Sequence, residues 1–196
     1  MSNHAPSFDF SAAMRDVCID ITQRHPKFRH IDMSGVAVAF AQARSNVSYG
    51  LQAKLTPMRF ERGSRFTVRD GQEWTVQKLM VDGSEMLYIL TFYLPRFLNL
   101  SYKEKLTTIF HELYHISPEF DGDIRRFGGH FYVHSHSQAE YDAQMDVFAA
   151  EYLKKRPPTE MLAFLQPDFR RLQARHGAVV GMQIPIPRLI PVRKTA

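Results

Sequence analysis

Cysteine is almost absent from the chain, which has a single one, Cys18, among 196 residues. One cysteine cannot form a disulfide within the chain, and it cannot supply the several thiolates that enclose a structural zinc ion. Any metal must therefore be bound by histidine and carboxylate side chains. This composition suits a reducing, cytoplasmic location, and we expect Cys18 to be a small buried apolar residue.

Long hydrophobic runs are absent as well. The most apolar stretch, residues 86–94, is too short to cross a bilayer, so no membrane association is predicted. Residues 1–10 lack the basic and apolar regions of a signal peptide, and we expect none. The net charge is +5, but the basic residues are scattered, which permits contact with nucleic acid without indicating it.

The remaining composition is that of an ordinary globular protein, with 44% hydrophobic and 23% charged residues and a length that suits one domain. Apolar periodicity predicts an N-terminal helix over residues 8–25, which Pro26 ends. Asp70-Gly71 and Asp82-Gly83 lie between apolar runs, and such pairs are strong hairpin signals. We therefore predict an antiparallel β-meander of four or five strands. The predicted strands cover residues 36–40, 51–60, 66–68, 74–76, 76–81 and 86–92.

Helix-capping patterns occur twice in the second half of the chain. Residues 101–104, Ser-Tyr-Lys-Glu, and residues 137–140, Ser-Gln-Ala-Glu, both have the form of a capping box, in which the first and last side chains cap one another's backbone. A further apolar pattern stops before Gly177. The predicted helices run over residues 102–116, from 137 to about 155, and over 159–175.

These elements predict an α+β fold with one domain. We expect residues 1–7 to be disordered, residues 8–176 to form the domain, and residues 177–196 to form an extended, basic tail that contains several prolines.

The motif His111-Glu112-Leu113-Tyr114-His115 lies on the first of the capped helices. Residues four apart share one face of a helix, about 6 Å apart along its axis, so His111 and His115 can bind one metal ion together. Glu112 is near enough to act on a water at that ion as a general base without being a ligand. We therefore predict one zinc ion per chain. Apolar side chains cluster on the opposite side of the helix: Leu106, Ile109, Phe110, Leu113 and Ile116.

A catalytic zinc ion usually has three protein ligands and one open position. The third ligand is predicted to be His134, with His136, His130 and Glu140 as alternatives. Gly128-Gly129 allows the chain to turn back towards the motif before the histidines. Glu140 would be a ligand from a following helix, but its place in the capping box already accounts for it.

Other polar residues near the motif are candidates for supporting roles. Asp142 or Asp146 could orient a ligand imidazole, as carboxylates behind metal-binding histidines do. Tyr132 and Arg125 could donate hydrogen bonds to the oxyanion that forms during hydrolysis. For Tyr141 the position in the apolar stripe of its helix favours core packing.

Residues 108–118, Thr-Ile-Phe-His-Glu-Leu-Tyr-His-Ile-Ser-Pro, followed by Phe-Asp-Gly-Asp-Ile-Arg-Arg-Phe at 120–127, resemble the phage-type metallopeptidase family. These small zincin domains are more distantly similar to SprT-like proteases. The resemblance is specific over about residues 100–153. It implies a zincin-like α+β fold with an N-terminal helix, a meander, the motif helix and a closing helix. In that family a glycine-rich loop carries a histidine just before the closing helix, which favours His134.

Three functions are compatible with this sequence. The first is a zinc metallopeptidase that acts on peptide or protein substrates, with Glu112 as the general base. The second is a zinc hydrolase of a non-peptide amide, which would use the same chemistry in a different cleft. The third is a non-enzymatic, metal-stabilised binding module, for which nucleic acid is one candidate partner, but a purely structural metal site has no need of Glu112.

Overall fold

A computed structural model describes residues 6–43, 50–126 and 138–192 of the chain. These residues form an α+β fold, as the sequence predicts. The helices are α1 (Phe10–Arg24), α2 (Tyr102–Tyr114), α3 (Gln138–Lys154), α4 (Thr159–Leu162) and α5 (Phe169–His176). The strands are β1 (Phe8–Asp9), β2 (Val36–Gln42), β3 (Ala53–Pro57), β4 (Phe66–Arg69), β5 (Gln72–Val76), β6 (Met80–Val81), β7 (Ser84–Glu85), β8 (Tyr88–Leu94), β9 (Val179–Val180) and β10 (Leu189–Pro191).

The N-terminal helix α1 agrees with its prediction to within two residues at each end. Asp9 caps it, because its carboxylate accepts a hydrogen bond of 2.9 Å from the backbone N–H of Ala12. The helix ends at Arg24, and His25 is its C-terminal cap directly before Pro26. One face of α1 is apolar, and its residues Met14 and Ile21 are fully buried.

The central sheet has the strand order β2-β8-β3. β8 pairs in parallel with β2 and antiparallel with β3. The predicted single antiparallel meander is therefore wrong, because β4 and β5 belong to another sheet with β10, and β6 and β7 form a separate pair. The reason is physical: β8 carries buried apolar residues on both faces, which favours the central position in the sheet over a place in a one-sided meander.

Both predicted Asp-Gly turns are present. Asp70 and Gly71 have φ values of 51° and 74°, and Asp82 and Gly83 have values of 49° and 80°. Positive φ at both positions matches the twist of a tight hairpin. The first turn joins β4 to β5 as expected. The second joins only the two-residue strands β6 and β7, and the chain then enters the central sheet.

The main core lies between one face of the central sheet and helices α1, α2 and α3. On the sheet side it contains Val38, Leu55 and Leu90. The opposite face of the sheet has a smaller cluster of Ala39, Met58 and Ile89. Ile184 packs against this smaller cluster. The central sheet is therefore covered on both faces.

The predicted helix over residues 159–175 is interrupted. α4 ends at Leu162, a short 3-10 turn follows, and α5 starts anew at Phe169. The cause is Pro167, which has no backbone N–H to continue the helix and whose ring clashes with the carbonyl four residues earlier. Asp168 then caps α5 through a hydrogen bond of 2.8 Å from the N–H of Arg171. Gly177, with a φ of 72°, ends α5 as predicted.

The segment that was expected to be an extended tail pairs with the body at two places. β9 lies parallel to β1, and β10 lies antiparallel to β5. Between them the N–H of Phe40 donates to the carbonyl of Met182 at 2.9 Å.

Among the described residues, no helix is both long enough and apolar enough to cross a membrane.

Candidate functional site

The helix that carries the motif begins with the predicted capping box. The N–H of Glu104 donates to Oγ of Ser101 at 3.3 Å, and Oε2 of Glu104 accepts from the N–H of Ser101 at 2.8 Å. Helix α2 then runs to Tyr114, and His115 is its C-terminal cap. Leu106, Ile109 and other apolar residues of α2 are buried in the main core, which orients the opposite side of the helix away from it.

The rings of His111 and His115 lie next to each other. Their centroids are 4.7 Å apart, with the ring planes at 76°. Two imidazoles that each bind zinc at about 2.1 Å have ring centres roughly 5 Å apart, so the pair fits a shared metal ion. Tyr141 of α3 holds both rings in place: its own ring lies 4.9 Å from that of His111 and 5.8 Å from that of His115.

Glu112, between the two histidines, is 9% exposed. Its Oε2 accepts a hydrogen bond of 2.7 Å from the backbone N–H of Leu55 in β3. Burial raises the pKa of Glu112 from an ordinary 4.5 to about 7, although the hydrogen bond from Leu55 and the charge of Lys54 act in the opposite direction. The carboxylate is thus fixed against a strand and titrates near neutrality.

The chain returns to the motif after helix α2. The N–H of Arg125 donates to the carbonyl of His115 at 2.7 Å, and its Nε donates to the carbonyl of Tyr114, also at 2.7 Å. The guanidinium of Arg125 lies 4.2 Å from the centre of the Tyr114 ring. Arg125, a predicted oxyanion donor, is therefore seen to fix the end of α2.

A tight turn directs this return. Tyr88 bridges the turn through its hydroxyl group, which accepts from the N–H of Gly122 and donates to the carbonyl of Asp123, both at 2.9 Å. The Asp123 carboxylate accepts two hydrogen bonds of 2.9 Å from the guanidinium of Arg126. The turn up to Arg126 is thus firmly held, and the first turn of α3 contains Tyr141, whose ring lies against both histidines.

The predicted third ligands His130, His134 and His136, and the predicted oxyanion donor Tyr132, lie outside the described residues. Glu140 is described and is exposed in the first turn of α3. Among residues 6–43, 50–126 and 138–192, no group of three His, Cys, Asp or Glu side chains could hold a metal ion. The identity of the third ligand stays a prediction.

The two predicted orienting carboxylates have different surroundings. Oδ1 of Asp142 lies 3.7 Å from Nδ1 of His111. Asp146 instead accepts from Nζ of Lys103 at 2.6 Å and from Oγ1 of Thr107 at 2.6 Å. The hydrogen bond from Lys103, and to a smaller extent that from Thr107, holds the pKa of Asp146 below its ordinary value. Asp142 is the carboxylate placed beside a candidate ligand.

A cleft of about 490 Å³ opens in front of the motif. One wall is α2 from Lys103 to Glu112, and another is α3 at Asp142 and Asp146. The third is formed by residues 51–53, which lead into β3. β3 is an edge strand, since no described strand pairs with its other side. The cleft therefore joins one candidate metal ligand, His111, to the buried carboxylate of Glu112 and to the unpaired edge of a strand.

Two parts of this site were not predicted from the sequence. The hydrogen bond from Leu55 to Glu112 comes from a backbone N–H, which nearly every residue type has, so the sequence could not single it out. Tyr141 was predicted to pack in the core, and it does, but the apolar stripe of α3 gave no sign that its ring would contact both histidines. The stripe shows which side of a helix is buried and not what lies against it.

A family model described as “Putative phage metallopeptidase” matches residues 11–152, which is more than half of the chain. The matched range runs from α1 through α3, so it includes the central sheet and the motif helix. Neither a curated protein nor a solved structure matches the chain.

Proposed function

The chain belongs to the family described as “Putative phage metallopeptidase”, and on that premise we propose that it is a zinc-dependent peptidase with a zincin-like fold. The family implies a metal ion and a peptide or protein substrate at a coarse level. The proposal adds the identity of the metal, its ligands and the role of Glu112.

His111 and His115 would hold the zinc ion together with His134, while His136, His130 and Glu140 are the alternatives for the third position. The contact of Asp142 with Nδ1 of His111 favours Nε2 as the ligand nitrogen, because a carboxylate behind a metal-binding imidazole fixes its orientation. When bound, zinc lowers the pKa of a coordinated water and polarises the carbonyl under attack.

Glu112 is the proposed general base. It takes a proton from the attacking water as the water oxygen bonds to the peptide carbonyl carbon, and it gives that proton to the departing amine when the C–N bond breaks. A group that must both accept and donate a proton works best with a pKa near the working pH. The burial of Glu112, with its pKa of about 7, provides this in the protein alone.

The substrate would lie along β3 as an added strand. Residues of an edge strand alternately direct their backbone groups towards and away from the neighbouring strand. The N–H of Leu55 points away from β8, because it donates to Glu112, so the backbone groups of Ala53 lie on the same edge. They line the cleft, where a peptide in extended form could pair with them beside the motif.

The single observation that carries the proposal is the position of Glu112, which is buried, lies on the same helix as two adjacent imidazoles, and is held by the unpaired edge of β3. A carboxylate that served only for packing or solubility would gain nothing from such burial, since desolvating a charge without a bound cation is costly. A base poised next to a metal ion and a peptide-binding edge accounts for all three features.

The test compares the parent protein with Glu112→Gln, and uses Glu160→Gln, an exposed position in α4, as a matched control. Each protein is loaded with zinc and incubated with a peptide library, and products are identified by mass spectrometry. We expect Glu112→Gln to keep one zinc per chain by elemental analysis and to lose at least about 100-fold in cleavage rate, as expected for removal of a general base. Glu160→Gln should match the parent.

Elemental analysis of His111→Ala and His134→Ala tests the ligands in the same experiment. Loss of zinc from both is expected. Cleavage by Glu112→Gln at the parent's rate would refute the mechanism. Zinc retained in full by His134→Ala would mean that the third ligand is one of the alternatives.

A further inference from the structure

The outer face of β3 carries a cation beside the proposed path of the substrate. The N–H of Tyr93 donates to the carbonyl of Gln52 at 2.8 Å, and the N–H of Met58 donates to the carbonyl of Leu87 at 3.0 Å. These two bonds fix which residues of β3 face β8 through their backbone. Lys54 belongs to that set, and its exposed side chain points to the sheet face opposite the main core.

A groove of about 490 Å³ lies on this face. Its walls include Lys54, Tyr93 and Arg96 from the central sheet region, and residues 184–187 from the segment between β9 and β10. None of the described residues that line it is acidic. The groove thus combines two positive charges with an apolar and aromatic wall.

Arg96 lines the groove and is hydrogen-bonded to the chain just before β3. Its Nη1 donates to the carbonyl of Leu51 at 2.8 Å. Leu51 is 56% exposed and lines both the groove and the cleft in front of Glu112. The two depressions therefore meet at Leu51, so one bound peptide can touch both.

We propose that Lys54 and Arg96 form a subsite for a carboxylate of the peptide substrate, and this inference rests on the proposed function. A strand added along β3 directs alternate side chains to the outer face, where they lie beside Lys54 as cross-strand neighbours. An acidic side chain there lies beside Lys54 and Arg96, in a groove whose described lining residues include no carboxylate. The guanidinium of Arg96 can also hydrogen-bond to a carboxylate. The subsite selects acidic residues at the substrate positions near Lys54 whose side chains share its face, and not at the positions between them.

The test scans a glutamate through successive positions on both sides of the cleaved bond of one identified substrate peptide. Each peptide has a glutamine twin at the same position, which removes only the charge. For the parent we expect glutamate to raise kcat/KM about 2- to 5-fold over glutamine at alternate positions and to have little effect in between. C-terminal amides of all peptides separate a side-chain carboxylate from the terminal one.

Lys54→Glu is the test variant, and Lys154→Glu is the control with the same change of net charge at an exposed site at the far end of α3. The quantity compared is the glutamate-to-glutamine ratio within each protein, so an effect of Lys54 on Glu112 cancels. Lys54→Glu should abolish or invert the alternate preference, and Lys154→Glu should keep it.

The two proposals fail in different ways. If neither the parent nor either lysine variant cleaves any peptide, the proposed function is wrong. If every peptide is cleaved but the ratio stays at one in the parent, or if Lys154→Glu changes it as much as Lys54→Glu does, the subsite is wrong and the peptidase stands. A preference without alternation between positions would likewise overturn the subsite, because it would reflect long-range charge.

Discussion

Replacing Glu112 by Gln should stabilise the metal-free protein at neutral and alkaline pH. Glu112 is buried, and its pKa in the folded protein is about 7, against an ordinary 4.5. Glutamine has nearly the same shape and still offers an oxygen to the N–H of Leu55. The substitution therefore removes the ionisation and leaves the packing and the hydrogen bond in place.

The sign follows from proton binding. Between pH 4.5 and about 7 the folded protein keeps a proton on Glu112 that the unfolded chain has released, so the free energy of unfolding of the parent falls as the pH rises through this window. The difference between the two pKa values corresponds to about 3 kcal/mol. Glu112→Gln carries no such loss. At pH 8 it should be about 3 kcal/mol more stable than the parent, and at pH 4.5 the difference should largely vanish.

The assay is urea or thermal unfolding in the presence of a chelator at several pH values between 4.5 and 8. For a chain of this size, 3 kcal/mol corresponds to about 6 to 12 °C in Tm. Other titrating groups are common to both proteins and cancel in the difference. Glu160→Gln controls for the loss of one negative charge at the surface. A gap between parent and Glu112→Gln that does not change with pH would refute the reasoning, because it would mean that Glu112 ionises as freely in the folded protein as in the unfolded one.

Two further predictions concern buried polar side chains of α2 and α3. Lys105 is 1% exposed, its Nζ donates to the carbonyls of Leu165 and Pro167, and burial lowers its pKa to about 8. The unfolded chain then binds more protons than the folded one between pH 8 and about 10.5. The free energy of unfolding of the parent, measured in urea relative to that of Lys105→Met, should therefore rise across this window. A difference between the two proteins that does not change with pH would contradict the prediction. Tyr141→Ala should cost about 3–5 kcal/mol and weaken zinc binding measured by calorimetric titration, since it removes the ring against His111 and His115, whereas Tyr141→Phe should bind zinc like the parent.

Features that depend on neighbours in the sequence were predicted well. The capping box of Ser101 and Glu104, the Asp-Gly turns and the end of α1 before Pro26 all depend on the conformations that a few adjacent residues allow. The break at Pro167 belongs to the same class, and the sequence contained its cause; the apolar periodicity on both sides concealed it.

The sheet is different. The Asp-Gly turns indicate that neighbouring strands pair, and β4 and β5 do. They do not indicate that β8 leaves the hairpins to pair in parallel with β2, more than forty residues earlier in the chain. Strand pairing over such distances depends on which apolar faces can be buried together, which is a property of the whole fold.

By itself the sequence determined the helix α2 and the spacing of His111, Glu112 and His115 on it, because a helical repeat fixes which residues share a face. Only the tertiary structure brought Leu55 and Lys54 to Glu112 and Tyr141 to the histidines. Burial and its effect on the pKa of Glu112 arise from atoms that lie far away in the chain, so no local pattern can encode them.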